Sequence, residues 1–215
     1  MTKLLRFLYH KVYVRIFPSY HIELENAIEN CETILDVGCG TLSPLKFIRK
    51  RKSMGVDAHL PSIMKSKMNN IHDKYINCDV MKIDKKFKEC SFDCVVALDL
   101  IEHLKKKDGY KLIKKMERIA KKKVIIYTPN GFLSQKSLEG NPYQKHRSGW
   151  HALEFQKMGY KVIGIHGLKS LRGELAEPKY RPKWLWFVIS DITQKFVRNK
   201  PEKAFQLLCI KEMKR

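Results

Sequence analysis

Thr33-Ile34-Leu35-Asp36-Val37-Gly38-Cys39-Gly40-Thr41 decides the fold. A short apolar run stops at a Gly-x-Gly turn. Leu42, Leu45 and Ile48 then continue at helical spacing, and the segment ends in Arg49-Lys50-Arg51-Lys52, cations suited to the last turn of a helix. The order predicted is strand, glycine turn, helix. A glycine turn in that place lets backbone N–H groups approach a ligand closely.

The pattern repeats outward from this segment. Met54-Gly55-Val56-Asp57 predicts a second strand, and Ile63, Met64 and Met68 the helix after it. Tyr75–Asp79 predicts a third strand, and Phe92–Leu98 a strongly apolar fourth that ends at Asp99. Leu112, Ile113, Met116, Ile119 and Ala120 mark an amphipathic helix with a Lys-rich outer face. Val124–Tyr127 is the fifth strand, closed by Thr128-Pro129-Asn130-Gly131. The stretch from Phe132 to Arg147 lacks periodicity and predicts a loop over the site. Ser148 is placed to cap a helix through Leu153, Phe155 and Met158, with Gly159 as its stop. Tyr160–Ile165 and Ala204–Ile210 give strands six and seven, with an amphipathic helix through Leu185, Val188, Ile189, Ile192 and Phe196 between them. Strands alternating with helices predict an α/β fold with a mostly parallel sheet. Without repeats or a Pro/Gly-rich linker, the 215 residues read as one domain, residues 1–30 forming an N-terminal helical segment.

Charge is the unusual feature of the composition. Lys and Arg number 43 against 22 Asp and Glu, a net charge of +21, while 44 % of residues are hydrophobic. The composition is globular, and such a field attracts anions: nucleic acid, an acidic membrane surface, or phosphorylated and carboxylated metabolites. The ordinary alternative is that runs such as Lys105-Lys106-Lys107 and Lys121-Lys122-Lys123 are solvated faces. The six cysteines, Cys31, Cys39, Cys78, Cys90, Cys94 and Cys209, show no CxxC or zinc-finger spacing and read as reduced, buried thiols. Met1–Phe17 is apolar but broken by Lys3, Arg6, His10, Lys11 and Arg15, so neither a secretory signal nor a span is expected. The expected location is cytoplasmic. Trp184, Trp186 and Phe187 beside Arg181, Lys183 and Lys195 read as core or lid packing, or else as docking to an anionic membrane, which would make the protein peripheral there.

Acids recur at successive predicted strand ends: Asp36, Asp57, Asp79 and Asp99. In a parallel sheet these ends share one edge, where open α/β folds bind ligands. Any one of them reads equally well as a cap or turn residue. Together they suit a ligand rich in hydroxyls and amines and positively charged, and they do not suit a phosphate.

With these residues the sequence resembles class I S-adenosylmethionine-dependent methyltransferases, in the branch with a DxGCGTG first motif and an EHL motif after the fourth strand. The resemblance rests on Ile34–Thr41, Val56-Asp57, Cys78-Asp79-Val80, Phe92–Val96 and Ile101-Glu102-His103-Leu104, and runs from about residue 31 to 131. It implies a Rossmann-like three-layer sandwich on a seven-stranded, mostly parallel sheet with an antiparallel last strand. It also implies a cofactor-binding core over 31–131 and an acceptor-side region over 132–215. Gly38, Cys39 and Gly40 would pass the methionine part and ribose of the cofactor, with Asp36 holding that loop. Asp57, followed by Ala58, would take the ribose hydroxyls, Asp79 and Val80 the adenine, and Asp99 and Leu100 the methionine part near the sulfonium. Leu42 stands where the family often has a third glycine.

The sulfonium already activates the methyl group, so the protein aligns an acceptor lone pair and excludes water. A hydroxyl acceptor needs a base, and His103 and His146 are the candidates, each with structural packing as its alternative. Asp99-Leu100-Ile101-Glu102 replaces the Asn/Asp-Pro-Pro-Tyr/Phe of enzymes that methylate exocyclic amines, and no Pro-Cys nucleophile of RNA cytosine-5 enzymes occurs. Asn141–Trp150 and Leu171-Arg172-Gly173-Glu174 would choose the acceptor, with Lys145, Arg147 and Arg172 placed to pair with an acceptor carboxylate or phosphate, or to be surface charges. The 141–150 stretch is similar to methyltransferases of cell-surface glycan or lipid biosynthesis. The acceptor expected is a small molecule or a glycan or lipid precursor; the alternatives are RNA, read by the basic surface, and a non-catalytic binding module. A nicotinamide-dependent oxidoreductase fits less well, since its third glycine would fall at Ser43 and Asp79 and Asp99 would go unexplained. No metal site is indicated.

Overall fold

The computed structural model describes residues 20–49, 51–135, 141–173 and 176–214. The expectations for Met1–Phe17 and for Glu174 therefore lie outside the described residues, and of the N-terminal helical segment only α1 (Tyr20–Ala27) lies within them. The strands are β1 (Thr33–Val37), β2 (Lys52–Asp57), β3 (Lys74–Asn77), β4 (Phe92–Leu98), β5 (Ala120–Pro129), β6 (Lys161–Leu168) and β7 (Ala204–Glu212). The remaining helices are α2 (Leu60–Met68), α3 (Lys106–Ile119), α4 (Ala152–Lys157) and α5 (Lys183–Arg198).

One seven-stranded sheet runs β3-β2-β1-β4-β5-β7-β6. Every pairing is parallel except those of β7, which is antiparallel to β5 and β6. The expected sheet is observed, last strand included. The chain winds outward from β1 to β3 and then crosses back to place β4 on the other side of β1. That reversal opens a crevice beyond the carboxyl ends of β1 and β4.

Period-two alternation builds the two faces. Leu35, Val37, Val95, Ala97, Val124, Ile126, Leu207 and Cys209 point to one side, against Leu112, Ile113 and Met116 of α3 and Phe155 of α4. Ile34, Cys94, Val96, Leu98, Ile125, Tyr127 and Leu208 point to the other, against Leu24, Ala27 and Ile28 around α1. Each large side chain so enclosed contributes roughly 1.5–3 kcal/mol of transfer free energy.

Five expectations are corrected. The helix after β1 is only a 3-10 turn, Pro44–Phe47, started by the Ser43 hydroxyl accepting from Leu45 N–H at 3.3 Å. β2 already begins at Lys52, whose N–H donates to the Glu32 carbonyl, so the chain extends from Ile48 to reach the sheet and leaves Leu42 and Phe47 exposed. Asp36 is not at a strand end but inside β1, opposite Gly55 and Val96. Ser148 does not cap α4; His151 occupies the N-cap and its N–H donates to Glu154 Oε2 at 2.8 Å. Two of the six cysteines, Cys78 and Cys90, are not buried; none of the six is in a disulfide.

The fifth correction concerns α5. The side facing β6 is Ser190, Gln194 and Val197, while Leu185, Phe187, Val188, Ile192 and Phe196 are exposed and Trp184 is 69 % exposed. Glycines decide this. A Cβ on Gly164 would lie 2.1 Å from the Val197 carbonyl oxygen, and one on Gly167 would lie 2.2 Å from that of Ser190. At so close an approach only short or hydrogen-bonding side chains fit. Gln194 donates to the Gly164 carbonyl and accepts from Gly167 N–H, at 2.9 and 3.0 Å.

Candidate active site

The crevice is a cavity of about 440 Å3. All ten residues expected to hold the cofactor line it, from Asp36, Gly38, Cys39 and Gly40 on β1 and its turn to Asp99 and Leu100 after β4. His103 and His146 line it too.

The glycine turn forms because both glycines adopt left-handed backbone, at φ +71° for Gly38 and +57° for Gly40. The N–H groups of Gly38 and Cys39 donate to the Val56 carbonyl at 2.7 and 3.0 Å, and that of Gly40 to Asp57 Oδ2 at 2.9 Å. Asp57, at the end of β2, also accepts from His59 N–H at 2.8 Å. Asp57 and Val56 therefore hold the loop, the task expected of Asp36. Both Asp36 carboxylate oxygens are buried without a hydrogen bond, 3.3 Å separating Oδ2 from His72 Nε2. A Cβ on Gly40 would meet nothing within 4 Å, so the turn is open toward the cavity. Asp79 caps the turn Val80–Lys85 by accepting from Met81 N–H at 2.9 Å, and Ala58 follows Asp57 on the rim.

Past β4 the backbone reverses at Asp99, another left-handed residue at φ +53°. Asp99 Oδ1 accepts from Gln206 Nε2 at 3.3 Å. Its neighbour Glu102 accepts from the Thr128 hydroxyl at 3.0 Å and hydrogen-bonds to Asp99. Enclosure by the protein pushes Asp99 up to about 7, opposed by the hydrogen bonds from Glu102 and Gln206. Burial, then the Asp99 charge, raises Glu102 well above the usual carboxylate range.

The two histidines are far apart in sequence but meet edge to face, ring centres 4.7 Å apart. Backbone bonds bring them together. Arg147 and Ser148 N–H donate to the Glu102 carbonyl at 2.7 and 3.0 Å, and the Ser148 hydroxyl donates to the Ile101 carbonyl at 3.2 Å. Trp150, wholly buried, donates from its indole to Ser148 Oγ at 3.0 Å. His146 Nδ1 lies 2.6 Å from the Leu133 carbonyl and donates to it. Burial pushes His103 down to about 4 and lowers His146, so both imidazoles are neutral at pH 7. The loop between, with Leu133, Gln135, Tyr143 and Gln144, walls the cavity as expected.

Arg172 does not serve an acceptor. It is buried, donating to Ser190 Oγ at 2.8 Å and to the Ala176 carbonyl at 3.0 Å, and lies 3.5 Å from Asp191. Neither Lys145 nor Arg147 lines the cavity. Sequence reasoning missed Glu102, His72 and Gln206 as site residues. A polar glutamine inside an otherwise apolar strand was the available signal for Gln206.

Comparison with known proteins agrees with this geometry. Residues 35–128 match a family model described as a methyltransferase domain. An S-adenosylmethionine-dependent methyltransferase from Archaeoglobus fulgidus is similar at TM-score 0.54 and 19 % identity, over 95 % of this chain and 99 % of its own. The methyltransferase domain of bacterial CtHen1 is similar at 0.55 and 18 %, over 90 % and 95 %. The plantazolicin methyltransferase BpumL, solved with SAH, is similar at 0.55 and 16 %, over 99 % and 89 %. At these identities the likeness is one of fold. No curated protein matches the sequence. Fold, turn and the methyltransferase-domain match over residues 35–128 support a class I S-adenosylmethionine-dependent methyltransferase. They agree with an enzyme that uses S-adenosylmethionine as its cofactor.

Proposed function

We propose that the chain methylates an oxygen or nitrogen of a small-molecule or glycan- or lipid-precursor acceptor, with the residues at the carboxyl edge of the sheet holding the cofactor. Charge carries the reading. In a chain of net charge +21 the cavity is lined by Asp36, Asp57, Asp79, Asp99 and Glu102 and, among the described residues, by no Lys or Arg. That lining fits a ligand bearing a sulfonium and an ammonium group, and it disfavours phosphate contacts inside the cavity. The unpartnered Asp36 oxygens and the open face of Gly40 fit the methionine end. Asp57 with Ala58 would hold the ribose hydroxyls, Asp79 and Val80 the adenine, and Asp99 with Leu100 the methionine part.

When bound, the cofactor supplies a methyl group already activated by positive sulfur. The chain's own work is to orient the acceptor and keep water out, through Leu133, Tyr143 and the pinned loop around His146. His103 and His146 would face the acceptor hydroxyl or amine. Lys106 pairs with Glu154, Lys115 with Asp84 and Lys122 with Asp93, which leaves most of the positive excess for anionic surfaces. The outward apolar face of α5, flanked by Arg181, Lys183 and Lys195, favours a lipid-linked acceptor reached at an anionic membrane surface. Among the described residues no helix is long and apolar enough to cross a membrane.

Calorimetry with S-adenosylmethionine and S-adenosylhomocysteine tests the assignment on the wild type, Asp57→Ala and Asp79→Ala. Each substitution is expected to weaken binding about tenfold or more, the worth of a lost charge-assisted hydrogen bond of ~1.5–3 kcal/mol. A folded wild type that binds neither compound sinks the reading.

A further inference from the structure

The acceptor end of the cavity contains three side chains of metal-ligating type. Glu102, His103 and His146 each present one ligand atom, and these atoms lie within 4.8 Å of one another. The cluster is rigidly built, because the backbone N–H groups that follow His146 are bonded to the carbonyl of Glu102 itself. Two further observations point to a ligand. His103 Nδ1 is buried and has no hydrogen-bond partner. His146 donates its Nδ1–H to the Leu133 carbonyl, which leaves the Nε2 lone pair free, the arrangement by which proteins orient a ligating imidazole. Glu102 is likewise steadied from outside, by the Thr128 hydroxyl.

We propose that Glu102, His103 and His146 bind one divalent transition-metal ion at the acceptor end of the cavity, which takes an acceptor hydroxyl into an open coordination position. Two imidazoles and a carboxylate suit Mn2+, Fe2+, Co2+ or Zn2+ rather than Ca2+. Three protein ligands leave positions for substrate, as in catalytic rather than structural sites. Bonds of about 2.1 Å require ligand atoms roughly 3–4 Å apart, so the three draw in by about 1 Å around the ion. An imidazole is a weak base for an alcohol; a cation supplies what it lacks. On binding, the acceptor's O–H bond breaks, the electron pair stays on oxygen and the proton passes to water. The freed oxygen lone pair then forms the bond to the methyl carbon as the carbon–sulfur bond breaks toward sulfur. The proposal extends the acceptor reading above by choosing oxygen over nitrogen; metal binding itself does not depend on that reading.

The test uses the full chain, freed of metal with a chelator. Co2+ is titrated with visible absorption as the readout and Mn2+ with loss of its free-ion electron paramagnetic resonance signal, with and without S-adenosylhomocysteine. The expected result is about one equivalent per chain. His103→Gln, His146→Gln and Glu102→Gln should each weaken uptake at least about tenfold. The S-adenosylhomocysteine affinity of the two histidine variants, as the check on folding, should stay within about threefold. A wild type that binds S-adenosylhomocysteine but takes up neither ion overturns the proposal. So does uptake that survives all three substitutions, which would place the ion elsewhere, at thiols for instance. Metal uptake by a chain that binds no S-adenosylhomocysteine would leave the site standing and sink the methyltransferase reading instead.

Discussion

Replacing Gly38 and Gly40 by alanine, one at a time, separates two demands that the cofactor turn makes on its sequence. Both glycines are left-handed, at φ +71° and +57°, and alanine pays roughly 1–2 kcal/mol at either place. For Gly40 the cost ends there, since its new Cβ would meet nothing within 4 Å. For Gly38 the Cβ would sit 2.5 Å from Leu100 Cδ1 and 2.9 Å from Cδ2, closer than real contacts allow. Leu100 can shift only in part, so overpacking adds about 1–3 kcal/mol. Gly38→Ala should therefore cost about 2–5 kcal/mol and Gly40→Ala about 1–2; at about 2–4 °C per kcal/mol for a chain of this size, the difference is visible in thermal or urea unfolding. Adding Leu100→Ala should recover part of the Gly38→Ala loss, as a coupling of about 1–2 kcal/mol in the double-mutant cycle. Ligand binding should rank the other way relative to stability, because the Gly40 methyl projects into the cavity: calorimetry should show Gly40→Ala losing S-adenosylhomocysteine affinity although it is the less destabilised of the two. Equal destabilisation by the two substitutions, with no relief from Leu100→Ala, would refute this account of the turn.

His166, at φ +63° and beside Tyr127 and Gln206, gives a pH dependence of known sign. Burial first, then the Arg172 charge, pushes it down to about 4 against an ordinary 6.5, so its contribution is present above pH 6.5 and lost as pH falls toward 4. His166→Asn, which tolerates the left-handed backbone, should remove up to ~3 kcal/mol of that acid-side slope in urea unfolding at stepped pH; parallel wild-type and variant curves would contradict it. For α5, Trp184→Ala combined with Phe187→Ala should reduce sedimentation with phosphatidylglycerol vesicles and leave S-adenosylhomocysteine binding intact. Added salt should weaken the wild-type interaction, and equal sedimentation with phosphatidylcholine would count against an anionic surface.

What could be read from the sequence follows from range. The glycine turn and the acids after β2 and β4 are local signals, each adjacent to the strand that positions it. The meeting of His103 with His146 is not local. It depends on Arg147 and Ser148 donating to the Glu102 carbonyl and on Trp150 filling the space beneath, none of which carries a periodic signature. Asp36 resembles the other acids in sequence, yet its pairing with Gly55 and Val96 places it one step inside the sheet. In α5 the apolar period predicts burial of the side that the structure turns outward. The contrary signal was present: Gly164 and Gly167 three apart in a strand, and Ser190 and Gln194 four apart in the helix, mark a close backbone approach.

The buried Arg172 ties the outward face of α5 to the cavity. Its guanidinium bonds Ser190 on α5 and the carbonyl of Ala176, a residue of the cavity lining, and lies over the Phe187 ring at 5.2 Å. The side chain that sequence reasoning offered to an acceptor's anion instead holds one lip of the cavity to the apolar helix. A surface that engages Phe187 and its neighbours thus bears on the same guanidinium that fixes Ala176. The two electrostatic characters of the chain follow the same division. Its basic excess lies outside, where a net +21 draws the chain toward anionic surfaces, while the acids converge where a cationic cofactor must sit. Like charges inside and out would have set the two tasks against each other, since a basic cavity would repel the sulfonium and an acidic exterior would repel the membrane.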